Sequence, residues 1–272
     1  MSDRVTCTIE DGVADVRLNR PDKMNALDGA MFAALDETGE RLKSEPGLRA
    51  VVLSGEGRAF CAGLDFGSFS AMASGERPPK DAAGPEGNAG YIKEGRITHV
   101  GQQVCWVWQE IPAPVIAAVH GVALGGGIQI ALGADIRIVT PDVKMSVLEI
   151  RWGLVPDMSG TVTLGRLVRP DVAKELAMTG RMVDGAEAVR IGLATRVSET
   201  PYDDAMALAR DIAGKNPHAV RGIKHLFDHG VSATPAEQFA EERKVIFSLI
   251  GSPNQVEAVT SYFEKRDPVF KD

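Results

Sequence analysis

The segment HGVALGGG at residues 120–127 constrains the fold more than any other part of the chain. It follows an apolar run, PVIAAV at 114–119, which predicts a buried strand, and it precedes a helical pattern over about 126–133. Consecutive glycines lose much backbone entropy on folding, so a helix that begins on them needs a physical reason. Two reasons fit: a ligand approaches the unpaired amides at the helix N-terminus, or the helix packs tightly on a strand.

A second glycine-containing loop, AFCAGLD at residues 59–65, follows the apolar segment RAVVLS at 49–54, which predicts another buried strand. Its small residues let the backbone come close to a ligand, although a plain surface turn has a similar composition. Neither loop is a Walker A or GxGxxG motif, because no Lys-Ser/Thr pair follows the glycines and the spacing differs. The two loops together are the candidate ligand-binding elements.

Short strands and helices are predicted for the first part of the chain. Residues 4–19 predict a strand pair that turns at Asp11-Gly12, a helix is predicted from near Asp28, and residues 134–140 predict a further strand. Further helices are predicted at 97–110, 160–168, 171–178, 185–191, 202–214, 217–229 and 235–250.

Two features indicate how the chain is divided. Residues 68–96 are rich in Gly, Ala, Ser and Pro, which predicts a mobile loop or lid rather than part of the core. Near residue 200 the segment VSETP interrupts the pattern, and only helices are predicted beyond it. We therefore expect an α/β core over residues 1–200 and a helical region over residues 201–272.

Charge and cysteine content argue against several classes of protein. The net charge of −7 is unfavourable for a general binder of nucleic acid or of anionic membranes, because both need excess Lys and Arg. Cys7, Cys61 and Cys105 form no CxxC pair, which is typical of free thiols in a reducing cytosol. The scattered histidines predict no metal site. With no apolar signal segment and no apolar run long enough for a bilayer span, a cytoplasmic protein is expected.

The motifs, in their order and spacing, resemble the crotonase superfamily, also called the enoyl-CoA hydratase/isomerase family. The matching segments are LNRPDKMNALD, AFCAGLDF, IPAPVIAAVHGVALGGG, ADIRI, GLVPD and FEKRDPVF. The resemblance implies a core of repeated ββα units and a helical C-terminal region that assembles a homotrimer or homohexamer. It also implies an acyl-CoA substrate, with coenzyme A as part of the substrate and no separate cofactor.

The resemblance further implies where the substrate binds. The backbone N–H groups of Leu64 and Gly126 would hold the thioester oxygen as negative charge develops on it, each donor being typically worth about 3 kcal/mol. The substrate and its CoA moiety would contact Asp22, Lys23, Met24, Ala62, Gly63, Asp65, Phe66, Leu124, Gly125 and Lys265. Asp22 stands where the family usually has a basic residue, so Lys23 is the candidate for a phosphate contact. Lys265 would reach a CoA phosphate of a neighbouring subunit, unless it belongs to a solvated tail.

The expected catalytic side chains differ from those of the family's hydratases. Hydratases carry a Glu two residues after the GGG and a second Glu 20 residues later, where this chain has Gln129 and Glu149. A glutamine can hydrogen-bond but cannot exchange a proton as a carboxylate does, so simple syn-hydration is in doubt. Asp157 stands where hydratases have Gly. The family's dienoyl-CoA isomerases carry acids at the positions of both Glu149 and Asp157, and a third at that of Gln129.

Glu149 and Asp157 are therefore the predicted proton-handling pair, with one pKa raised by the neighbouring like charge, and Gln129 is predicted to orient water or substrate. Simpler interpretations exist for each residue. Asp157 could be the N-cap of the next helix, and Gln129 a surface residue of its own helix. Glu149 could be a surface strand residue or the partner of Arg151.

The predicted function is that of an enoyl-CoA hydratase/isomerase in which isomerase-type proton transfer is favoured over hydration. Two alternatives stay open. Family dehalogenases place a nucleophilic Asp at the position of Asp157, so dehalogenation or thioester hydrolysis is the first. The missing acid at Gln129 leaves a non-catalytic acyl-CoA-binding protein as the second.

Overall fold

The strands form one large sheet and one small sheet in the computed structural model, which describes residues 4–67 and 91–272. The strands are β1 (Val5–Glu10), β2 (Val13–Leu18), β3 (Ala50–Gly55), β4 (Val115–Val119), β5 (Val122–Leu124), β6 (Ile136–Val139), β7 (Lys144–Ser146) and β8 (Arg196–Val197). The large sheet has the order β1-β2-β3-β4-β6-β8, and β5 pairs with β7 in the small one. Among the strands of the described residues, β1 alone runs antiparallel to its neighbour, and the other pairs are parallel.

The helices of the described residues follow the predicted α/β order, with a helix-only C-terminal part. They are α1 (Gly29–Leu42), α2 (Val100–Glu110), α3 (Gly126–Leu132), α4 (Gly160–Leu167), α5 (Pro170–Thr179), α6 (Gly185–Ile191), α7 (Pro201–Ala213), α8 (Pro217–Gly230), α9 (Pro235–Leu249) and α10 (Pro253–Glu264). Short 3₁₀ turns occur at Pro21–Lys23 and Glu149–Trp152. The mixed α/β class predicted from the sequence is confirmed.

The turn residues and apolar segments that predicted the first strands have the expected structure. Asp11 and Gly12 both have a positive φ, of 50° and 78°, which is the backbone that a two-residue hairpin turn between right-twisted strands requires. Strands β3 and β4 are buried along their length because parallel strands are covered on both faces, which explains their continuous apolar sequences.

Two layers of helices cover the large sheet. On one face, Leu35 of α1 and Trp108 of α2 are fully buried in the main core. On the other face, Ala205 and Ala209 of α7 pack against a smaller cluster that includes Ile116. Helix α7 therefore contributes to the core, although it lies beyond residue 200, and the functional division at that residue stays a prediction.

Some elements differ from the sequence-based expectation. Helix α10 was not predicted, although Ser252 caps it by accepting the N–H of Gln255. The predicted lid over residues 68–96 lies, for residues 68–90, outside the described part of the chain. Its last residues are tied to α1, because Lys93 and Arg96 form ion pairs with Asp36 at 3.1 and 2.8 Å.

Among the helices of residues 4–67 and 91–272, none combines the length and the apolar composition that a membrane span requires. The thiols of Cys7, Cys61 and Cys105 are free, as expected.

Large apolar side chains of the C-terminal helices are exposed in the single chain. Phe227 is 80% exposed, Phe247 71%, Tyr262 79% and Phe263 76%. So much apolar surface on neighbouring helices is typical of a protein–protein interface. We expect a homotrimer or a dimer of trimers in solution, to be measured by light scattering coupled to size exclusion. A stable monomer at micromolar concentration would contradict this expectation.

Candidate active site

Backbone hydrogen bonds bring the two glycine-containing loops side by side. The Cys61 N–H donates to the Val122 carbonyl at 3.0 Å, and the Leu124 N–H donates to the Cys61 carbonyl at 3.1 Å. Gly63, with a φ of 87°, approaches so closely that an added Cβ would lie 2.5 Å from the Leu124 oxygen and 3.7 Å from the Gly126 nitrogen. The start of α3 and the end of the first loop therefore form one surface.

The glycines at the start of α3 have separate physical reasons. Gly125 has a φ of 52° and a ψ of −120°, a backbone conformation that side chains other than Gly rarely adopt. An added Cβ at Gly127 would collide with the Cys61 carbonyl. Tight packing thus accounts for Gly127, although the contact is made with the neighbouring loop rather than with a strand.

Two backbone N–H groups at this surface are unpaired within the described residues. The Leu27 N–H donates to the carbonyl before Leu64 at 2.8 Å and the Asp65 N–H donates to the Leu27 carbonyl at 3.0 Å, so the Leu64 N–H points away from Leu27. The Gly126 N–H belongs to the first residue of α3, where no intrahelical acceptor exists. Both are the N–H groups predicted for the thioester oxygen.

One cavity of about 840 Å³ adjoins these N–H groups and contains most of the predicted residues. Its predicted lining residues are Asp22, Lys23, Met24, Ala62, Gly63, Leu64, Asp65, Phe66, Leu124, Gly125, Gly126, Glu149 and Asp157. Its size and largely apolar lining suit a small-molecule ligand. Gln129 and Lys265 do not line it.

Gln129 is fully buried behind the cavity, so its interpretation as a surface residue is wrong. Its Oε1 accepts the backbone N–H groups of Met158 at 3.0 Å and Gly160 at 2.8 Å. Its Nε2 donates to Oε1 of Glu149 at 2.5 Å. The side chain thus connects the Glu149 carboxyl group to the turn that carries Asp157.

Glu149 begins the 3₁₀ turn Glu149–Trp152 and is 9% exposed, so it is neither a strand residue nor a surface residue. Its Oε2 is buried and has no hydrogen-bond partner among the described residues. Burial raises the pKa of Glu149 above its ordinary value of 4.5. The N–H groups of its own backbone and of Gln129 oppose this shift, and the charge of Asp157 adds to it.

Asp157 is an exposed residue of the cavity lining, in the turn before α4. The residue that precedes α4 is Ser159, which has a φ of 69° and makes no side-chain cap. Gln129 instead accepts the N–H groups on either side of Ser159. Within the described residues, the Asp157 carboxylate caps no helix and is exposed to the solvent in the cavity.

The loop predicted to contact CoA is held by a buried asparagine that sequence reasoning missed. Asn25 has a φ of 56°, and its side-chain amide donates to the Ala59 carbonyl at 2.8 Å and to the Phe60 carbonyl at 3.1 Å. Arg20 pairs with Asp65 at 2.6 Å. The Gly67 N–H and then Arg20 lower the pKa of Asp65. Asp65 therefore ties the two loops together.

The C-terminal basic residues lie away from the cavity of their own chain. Lys265 ends α10 with a φ of 56°, and Arg266 is engaged by Glu257 and Glu264, at 2.6 Å each. The contact of Lys265 with CoA in a neighbouring subunit stays a prediction.

Several residues that line the cavity were not predicted from the sequence. Arg151, Trp152 and Leu154 line the cavity between the two acids, and Phe66 meets Trp152 edge to face with ring centroids 6.3 Å apart. Their position depends on the 3₁₀ turn at Glu149–Trp152, which no periodic pattern indicates.

The raised pKa of Glu149 has a consequence for stability. A carboxyl group whose folded-state pKa is raised lowers stability as the pH rises through the interval above its unfolded value. We expect Glu149→Gln to raise the Tm at pH 7 by a few degrees, and the gain to shrink as the pH falls below 4.5, where the carboxyl group becomes protonated in the unfolded state as well as in the folded one. Calorimetry at pH 7 and pH 4 measures this, with the exposed Glu199→Gln as the control. An unchanged or lower Tm at pH 7 would contradict it.

Comparisons with known proteins identify the family to which the chain is similar. The family model described as "Enoyl-CoA hydratase/isomerase" matches residues 8–272. A carnitinyl-CoA dehydratase from Citrobacter koseri is 32% identical over 279 residues, with 100% of this chain and 99% of the relative covered.

Solved structures give the same result. An enoyl-CoA hydratase from Mycobacterium smegmatis is 32% identical with a TM-score of 0.83, and the match covers 98% of each chain. An enoyl-CoA hydratase from Bacillus anthracis is 27% identical with a TM-score of 0.85, covering 98% of this chain and 99% of that chain. The crotonase-like fold expected from the sequence is confirmed.

Proposed function

Because the chain belongs to the enoyl-CoA hydratase/isomerase family, we propose that it acts on an unsaturated acyl-CoA thioester through an enolate. The enolate oxygen is bound by the N–H groups of Leu64 and Gly126. Isomerase-type proton transfer, in which a double bond moves along the acyl chain, is favoured over hydration.

The observation that carries this proposal is the set of groups that line one cavity. Two unpaired backbone N–H groups and two carboxyl groups, those of Glu149 and Asp157, line it together. Fixed N–H donors stabilise the charge that develops on a thioester oxygen without having to reorganise. Carboxyl groups beside them can remove and return protons on the adjacent carbons.

The position of Glu149 supports a division of labour between the acids. An added Cβ at Gly125 would lie 3.5 Å from Oε1 of Glu149, so this carboxyl group lies beside the residue that precedes Gly126. In the proposed arrangement, a carbonyl bound to the Gly126 N–H would present its α-carbon to Glu149. Asp157, an exposed residue of the cavity lining, would serve a carbon farther along the chain.

The reaction on a 3-enoyl-CoA balances as follows. Glu149 takes a proton from the α-carbon, and the electron pair forms a dienolate whose oxygen is held by Leu64 and Gly126. Asp157, in its protonated form, donates a proton to the γ-carbon, which leaves a double bond between the α- and β-carbons. Proton exchange with solvent restores both carboxyl groups.

The amide of Gln129 supports isomerisation over hydration. Its oxygen and nitrogen are already engaged in three hydrogen bonds, to Met158, Gly160 and Glu149. It has no ionisable proton and so cannot act as the second acid on a bound water. Hydration or dehydration is the second candidate, favoured by the 32% identity to a carnitinyl-CoA dehydratase. Asp157 would then replace the missing acid.

A panel of 2-enoyl-, 3-enoyl- and 3-hydroxyacyl-CoA esters, followed by ultraviolet absorbance and mass spectrometry, tests the proposal. We expect a 3-enoyl-CoA to change its absorbance at constant mass. Gain of the mass of water by a 2-enoyl-CoA, without any isomerisation, would favour the second candidate. CoA binding with no turnover on any ester would overturn both.

A further inference from the structure

We propose that Gln129 is a positioning residue that fixes both acids at once: its amide nitrogen sets which oxygen of Glu149 can be protonated, and its oxygen holds the turn that carries Asp157. The inference rests on the proposed function for the roles of Glu149 and Asp157. The hydrogen bonds on which it rests are all made within the protein and need no bound ligand.

The orientation of the Gln129 amide is dictated by its surroundings. The N–H groups of Met158 and Gly160 both point at one end of the amide, at 3.0 and 2.8 Å. Only the oxygen can accept two N–H groups, so the nitrogen must face Glu149. This assignment is independent of any ligand.

The nitrogen then decides which oxygen of Glu149 carries the exchangeable proton. An N–H donor 2.5 Å from Oε1 occupies that oxygen as an acceptor. A proton on Oε1 would be repelled by the hydrogen that Gln129 donates, so protonation of the carboxyl group is favoured at Oε2. That oxygen is buried and has no hydrogen-bond partner among the described residues, so nothing there competes with a proton.

The oxygen of Gln129 fixes the second acid. The N–H groups it accepts flank Ser159, whose left-handed backbone is unfavourable for a residue other than glycine. Two hydrogen bonds to one buried oxygen stabilise this turn, and Asp157 is joined directly to Met158. The position of the Asp157 backbone therefore depends on Gln129.

A glutamate at position 129 would keep one half of this arrangement and lose the other. One oxygen could still accept the N–H groups of Met158 and Gly160. The other would face Oε1 of Glu149 without a hydrogen between them, so the two carboxyl groups would have to share a proton. The glutamine keeps a single titrating carboxyl group on this side of the cavity.

Few other titratable groups face Glu149. Asp157 adds a negative charge, and the Cys105 thiol on α2 lies near both acids. Burial raises the pKa of Cys105 well above its ordinary value, so the thiol stays neutral. In the proposed reaction Glu149 must be deprotonated and Asp157 protonated, so a change in the acid limb of the pH profile after substitution of Gln129 reports on the Glu149 carboxyl group.

Gln129→Met and Gln129→Glu, with Gln109→Met as the control, test the inference in the full-length protein. Methionine has a similar length but cannot hold the turn or donate to Glu149. Gln109 donates to the Gly133 carbonyl at 2.7 Å, away from both acids, and its loss should change neither readout. The readouts are the pH dependence of kcat/KM and hydrogen exchange of peptides over residues 155–162.

For Gln129→Met we expect a loss of at least ~10-fold in kcat. The acid limb of its kcat/KM profile should move to higher pH, because Glu149 loses an N–H donor that lowers its pKa. Hydrogen exchange of the backbone over residues 155–162 should accelerate. Gln129→Glu should keep the protection of that segment while its acid limb also moves to higher pH. If Gln129→Met does not fold, the Gln129→Glu pH profile decides.

Wild-type protection of residues 155–162 in Gln129→Met, or an unmoved acid limb in either variant, would overturn the inference. Failure of the proposed function is separable, because hydrogen exchange needs no turnover. If the enzyme proves to be a hydratase, the same pH profile is measured on hydration.

Discussion

Glu149→Gln and Asp157→Asn should each lower the turnover of an unsaturated acyl-CoA by at least ~100-fold, with little change in substrate affinity. Both substitutions keep the size and polarity of the side chain but remove its ability to exchange a proton. Because Gln129 can still donate to the amide oxygen at position 149, the cavity should keep its shape. Steady-state kinetics on the substrate identified by the acyl-CoA panel give kcat and KM separately.

Asp171→Asn is the matched control for this pair. Asp171 is an exposed carboxylate at the start of α5 that pairs only with Arg169 among the described residues, so its loss should leave kcat unchanged. Gln129→Ala should reduce turnover less than either acid variant. If Asp157→Asn keeps full activity while Glu149→Gln loses it, the two-acid account is wrong, and a single-acid reaction takes its place.

Gly126→Val should reduce turnover by about 100-fold or more while the fold is retained: the valine keeps the N–H but hinders the close approach of the thioester oxygen to it, and losing the use of one such donor typically has an effect of that size. An added Cβ at this position would lie 2.8 Å from Cδ1 of Leu27 and from Sδ of Met158. Both atoms are ends of flexible side chains, so the chain can fold, but both must move, and Met158 lines the cavity beside the N–H. The effect should appear in kcat more than in KM.

A second glycine-to-larger substitution provides the control for Gly126. Gly165 lies in α4, and an added Cβ would have no neighbour within 4 Å among the described residues. Gly165→Ala should therefore leave turnover unchanged and slightly increase stability, because alanine favours the helix. Wild-type turnover in Gly126→Val, with circular dichroism matching that of the wild type, would remove this loop from the mechanism.

The two glycine-containing loops could be predicted from the sequence because their composition is rare and local. Gly125 needs a positive φ and Gly127 needs a bare backbone against Cys61, so the requirement is visible in the residues themselves. The hairpin at Asp11-Gly12 is a case of the same kind. Such positions depend on short-range geometry, which sequence patterns report well.

The environment of Gln129 could not be predicted in this way. All residues of α3 from Gly126 to Leu132 are buried, so this helix has no polar face from which exposure could be inferred. The partners of Gln129 are backbone N–H groups about thirty residues away, and only the tertiary fold brings them near.

Helix α10 was not predicted from the sequence because its apolar residues are exposed, whereas those of α3 are buried. Val256, Val259, Tyr262 and Phe263 are all exposed in the single chain, so its apolar residues face no core of this chain. A helix whose apolar face has no partner within the chain gives a weak core pattern.

The most direct test of the enolate is hydrogen–deuterium exchange at the α-carbon of a saturated acyl-CoA in D₂O, followed by proton NMR. A saturated ester can be neither isomerised nor hydrated, so loss of the α-proton signal reports enolate formation alone. We expect the wild type and Asp157→Asn to catalyse the exchange, and Glu149→Gln and Gly126→Val to lose at least ~100-fold in its rate. No catalysed exchange by the wild type, or equally fast exchange by Glu149→Gln, would contradict a mechanism in which Glu149 removes the α-proton and the N–H groups of Leu64 and Gly126 hold the enolate.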